Sequence, residues 1–70
     1  MPAHRQTLKL PVKDGAGTLA REMTRAQALR HCERTMDPSL RRAGFKCQVS
    51  KSDAQMHGGE WFRINRVKTY

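Results

Sequence analysis

Trp61, Arg63 and Asn65 stand at alternate positions near the C-terminal end of the chain. An indole can stack on an unpaired base, and a neighbouring guanidinium can hold a phosphate or lie over the ring. A spacing of two puts all three on one face if the segment is a β-strand. Lys46 and Lys9 join that face if the strand order brings them there. The competing use of Trp61 is ordinary packing, against Val67 or in a dimer interface.

A second basic group has helical spacing. Arg30 and Arg34 are one turn apart with His31 between them, and Arg41 and Arg42 extend the row. Such a row can track phosphates or enter a major groove, and Arg66 adds a further phosphate contact from the last strand. Glu33 lies within reach of Arg30, and Asp37 within reach of Arg34 and Arg41. Surface ion pairs of that kind contribute only about 0–1 kcal/mol each. The default for this face is plain solvation.

The cysteines and histidines offer less. Cys32 and Cys47 both fall on inward faces and are expected as buried thiols in a reduced core. A disulfide between helix and sheet is conceivable but needs an oxidising compartment. A zinc site wants clustered ligands such as Cys-x-x-Cys. Here His31 and Cys32 project about 100° apart on a helix, and Cys47 and His57 are single ligands. No metal or cofactor is expected. Paired carboxylates, a nucleophile elbow and a phosphate-cradling loop are all missing from the sequence, so an enzyme is not expected either.

His57 beside Gly58-Gly59 is the one position where a general base could sit in a loop. A helix, a Gly44-Phe45 turn and a hairpin with this histidine resemble small ribonuclease toxins of double-stranded-RNA-binding-like fold. The resemblance implies a His57-dependent ribonuclease. Their glycine-serine-histidine order is replaced here by Met56-His57-Gly58-Gly59.

The elements that must position these groups follow from periodicity. Residues 1–6 read as a flexible lead, and residues 7–70 as one small domain. From Thr7 to Lys13 the chain alternates, with Leu8, Leu10 and Val12 on one face and Thr7, Lys9 and Lys13 on the other. Pro11 lacks a donor and argues for an edge strand or one that ends early. Asp14-Gly15-Ala16-Gly17 is a hairpin turn signal, leading to a second strand over 18–23 with Leu19 and Met23 inward. Thr24-Arg25-Ala26-Gln27 fits a capping box. Past it, Leu29, Cys32, Met36 and Leu40 form an apolar stripe flanked by Ala26 and Ala28. The spacing predicts a helix over 25–36. Asp37-Pro38 interrupts it and starts a short helix over 38–43, stopped by Gly44. Phe45, Cys47 and Val49 then alternate inward. A polar loop over 52–59 leads to a last strand over 60–68, with Phe62 and Ile64 inward. The sum is an α+β domain: a small antiparallel sheet in ββαββ order with one main helix on one face.

Composition bounds the function. Seventy residues make one domain with a thin core, since a chain of this size buries only about 60% of its unfolded surface. Self-association, as a homodimer, is one remedy for a core so thin. No apolar run exceeds two residues, so no membrane partner is expected, and without a secretory signal a cytoplasmic location is expected. The net charge is +8, and it is spread: +2 over residues 1–23, +3 over 24–44 and +3 over 45–70. Basic residues held in folded segments are the footprint of a polyanion binder. The expected partner is DNA, RNA or a nucleoprotein, bound by a non-enzymatic accessory or regulatory protein. The alternative is an acidic host protein, bound by a small phage or mobile-element inhibitor of the anti-CRISPR kind.

Overall fold

A computed structural model describes residues 8–52 and 58–69. The chain runs β1 (Val12–Asp14), β2 (Gly17–Thr18), α1 (Arg25–Thr35), α2 (Pro38–Arg42), β3 (Phe45–Lys51) and β4 (Phe62–Lys68). It is an α+β domain in ββαββ order, with one four-stranded sheet and one main helix.

The sheet order is β2-β1-β4-β3. β1 and β2 pair antiparallel, as do β3 and β4, but β1 runs parallel to β4 in the middle of the sheet. The sheet is therefore mixed, where alternation alone suggested two antiparallel hairpins. The helices and β3 lie between β1 and β4 in sequence, and such a crossover can return a strand parallel to its neighbour. β1 is also an inner strand, not the edge that Pro11 suggested. Pro11 sits just before the first ladder residue and uses only its carbonyl, which accepts from Phe62 N at 2.8 Å. Its missing N–H is thus spared from the ladder. The edge on that side falls to two-residue β2, and the other edge is β3. The turn between β1 and β2 has Gly15 at φ +63 and Ala16 at negative φ, as in a type II′ turn, where only the first central residue is left-handed.

α1 begins where the sequence places it. Thr24 Oγ1 accepts from Gln27 N and Gln27 Oε1 accepts from Thr24 N, both at 3.1 Å, completing the capping box. The helix stops at Met36, which turns extended before Asp37-Pro38. Asp37 then caps α2 by accepting from Ser39 N at 2.9 Å, and Gly44 at φ +96 turns the chain into β3.

The core lies between α1 and one face of the sheet. Val12, Phe62 and Ile64 rise from the sheet to meet Ala28 and Cys32 of the helix, with Leu10 and Met23 at one end. Leu19, Cys47 and Val49 close the sides. Each large apolar side chain buried here contributes about 1.5–3 kcal/mol. Leu8 does not join them, being 47% exposed, and Ala26 is exposed too. Cys32 and Cys47 form a disulfide joining α1 to β3, with Cα atoms 6.0 Å apart. The expectation of two free thiols is corrected. The two inward stripes meet across the core, and the cysteines sit where they cross. No helix among the described residues is long and apolar enough to cross a membrane.

Candidate nucleic-acid interface

The face of the sheet away from α1 is built by strand register. Lys13 lies opposite both Arg63 and Thr18, Ser50 opposite Arg63, Gln48 opposite Asn65, and Lys46 opposite Val67. Residues directly opposite one another share a face, so these side chains all stand on the open side. Its lining is three cations, two amides, two hydroxyls and Val67. The register places no carboxylate at the open-face positions of these described strands, because Asp14 falls on the covered face opposite Ile64. Lys13 and Arg63 sit on neighbouring strands, about 5 Å apart at the backbone. Lys46 lies four residues further along, about 14 Å away.

Trp61 anchors the two close cations. Its ring has Lys13 Nζ at 4.4 Å and Arg63 Cζ at 4.8 Å from the centroid. Each such contact contributes about 0.5–1 kcal/mol at an exposed site. Trp61 is only 9% exposed, so it is not the open stacking platform that alternation suggested. It fixes the cations while leaving donors for a ligand. Arg63 spends one N–H, weakly, on the Gly15 carbonyl at 3.4 Å, out of five on a guanidinium. The backbone of Trp61 is held in turn by Ser52, which donates N–H to the Trp61 carbonyl at 2.9 Å and accepts from Trp61 N through Oγ at 3.0 Å.

Arg66 is elsewhere. It shares the covered face with Phe62 and Ile64, and its guanidinium forks onto Asp14 at 2.9 and 3.3 Å and reaches Thr35 Oγ1 at 3.4 Å. That hydrogen bond to Arg66 is the main reason the Asp14 carboxyl is held below its ordinary range; burial opposes it, while the charges of Arg66 and then His31 reinforce it. Arg66 is tied into the fold and is not free to take a phosphate.

Arg30 and Arg34 are exposed on the outer side of α1, opposite buried Ala28 and Cys32. Glu33 forms no salt bridge with Arg30 among the described residues, and Asp37 is occupied as the α2 cap. Arg41 donates to the Glu33 carbonyl at 3.0 Å, tying α2 to the end of α1. Arg42 is exposed on α2. With α1 lying on the covered face of the sheet, Arg30 and Arg34 point away from Lys13, Lys46 and Arg63. These five basic side chains therefore lie on two surfaces, not one.

Of the residues named from sequence, the structure gathers Lys46, Arg63 and Asn65 on the open face and adds Lys13. Lys13 already alternated onto the outward side of its strand, but nothing local announced that β1 would lie beside β4. His57 lies outside the described residues. The paired cysteines offer no thiolate to a metal. Compared with protein-family models, curated proteins and solved structures, the chain matches none of them.

Proposed function

We propose that this chain is a non-enzymatic binding module that holds nucleic acid against the open face of its sheet. The observation that carries this reading is the grouping of Lys13, Lys46 and Arg63 with Asn65, Gln48 and Ser50, undiluted by a carboxylate at the strand positions of that face. Lysine and arginine neutralise phosphates, and amides and hydroxyls supply further contacts to the backbone. Phosphate contacts position a strand without reading its sequence, so binding is sequence-tolerant. Trp61 acts beneath the surface by orienting Lys13 and Arg63.

The test is a salt titration of binding to a labelled single-stranded oligonucleotide. Three phosphate contacts give a loss of affinity of about 20-fold between ~50 and ~200 mM salt. Affinity unchanged over that range removes the reading. A pull-down with and without nuclease separates it from binding to an acidic protein, since partners held through nucleic acid are lost on digestion.

A further inference from the structure

The sheet order leaves the outer edge of β3 without a backbone partner among the described residues. Its register shows which groups point there. Ser52 N donates to the Trp61 carbonyl and Thr69 N to the Gly44 carbonyl, so even-numbered residues turn their backbone groups toward β4. In an antiparallel ladder the residues between them turn away. Phe45, Cys47, Val49 and Lys51 therefore offer N–H and C=O groups to the outside. The Val49 carbonyl is already met there by Arg25 Nη1 at 2.6 Å.

Beside the first half of this edge is a cavity of about 330 Å³, lined by Glu33, Met36, Arg41, Phe45, Lys46 and Cys47. Met36, Phe45 and the disulfide-bonded Cys47 make it apolar in part, and Arg41 and Lys46 make it cationic. Arg25 continues the cationic side at Val49. Glu33 is the one carboxylate lining it.

We propose that this edge takes up an extended, acidic segment of a partner protein as a fifth strand running from Phe45 to the Val49 N–H. Strand addition draws affinity from main-chain hydrogen bonds and specificity from pockets for alternate side chains. Here an apolar side chain of the segment enters the cavity, and its carboxylates meet Arg25, Arg41 and Lys46. A second copy of this chain fits poorly: it would bring another net charge of +8 to the same edge, and like charges across strands repel. Nucleic acid lacks the repeating amide pattern that a strand edge pairs with. The edge shares only Lys46 with the open face, and the proposal does not depend on nucleic-acid binding there.

The experiment is residue-resolved amide hydrogen exchange on the intact chain, with a synthetic peptide alternating Glu and Val and a control alternating Lys and Val. The Glu peptide should slow the Cys47 and Val49 amides by about tenfold or more. Lys46, Gln48 and Ser50, already bonded to β4, should not change, and the Lys peptide should do nothing. Arg41→Gln, with its fold checked by its melting curve, should weaken the Glu peptide by about threefold or more, the loss of one surface ion pair. Three results overturn the proposal: unchanged Cys47 and Val49 exchange; protection without peptide that grows with protein concentration, which would mean a second copy; or perturbation centred on Lys13 and Arg63, which would mean unspecific attraction to the open face.

Discussion

At the scale of single residues, Trp61 and Arg66 both depart from the ligand contacts expected of them. The indole lies beneath two cations, and the last arginine of the covered face is spent on Asp14. Trp61 is the one tryptophan of the chain, so its fluorescence reports on this directly. Acrylamide should quench it weakly, and a bound oligonucleotide should not quench it by stacking; strong quenching by either would restore the exposed platform. Asp14→Asn should cost about 1 kcal/mol, the upper end for a surface ion pair, seen as a lower midpoint in denaturant. The pH dependence has a fixed sign. Arg66 depresses the carboxyl in the folded state, so the stabilisation is complete above the ordinary carboxylate value and fades as pH falls through the lowered one. Asp14→Asn should flatten that part of the acid limb. Sequence alone makes Arg66 a phosphate contact, although it follows Phe62 and Ile64 at the spacing of two that puts it on the covered face. Its partner was not legible, because Asp14 lies 52 positions away.

Local chemistry made the helices readable at the scale of elements. A hydroxyl and a glutamine three positions apart have no cheaper way to satisfy the first amides of α1 than the capping box they form. Thr24→Ala should therefore destabilise the fold by about 1 kcal/mol, measured by thermal or urea unfolding. Asp37-Pro38 and Gly44 bounded α2 for equally local reasons. What stayed hidden was non-local: the parallel β1–β4 pairing depends on where the crossover sets down the chain, while compartment alone argued against the Cys32–Cys47 bond, although both cysteines faced inward. The bond spans 15 residues, and closing a loop of that length stabilises by about 3 kcal/mol in the chain-entropy account. Reduction with dithiothreitol should lower stability by about that amount. An unchanged midpoint would show that the thiols are not paired in solution.

Taken as a whole, the described residues set cations on both sides of the sheet as well as at its β3 edge. One side presents Arg30 and Arg34 on the back of α1, and the other presents Lys13, Lys46 and Arg63 beside amides. Net charge alone does not choose between them. The open face is favoured because Trp61 braces Lys13 and Arg63 and the strands align Lys46 with them, whereas the helix arginines stand in solvent like those of many surface helices. The measurement that bears most directly on this is the salt slope of oligonucleotide binding in two variants, K13Q/K46Q/R63Q and R30Q/R34Q. The open-face triple should flatten the slope of log affinity against log salt by about 2, the share of three phosphate contacts on a single strand, while the helix double leaves it nearly unchanged. The reverse pattern, or a slope untouched by the triple, would contradict the account.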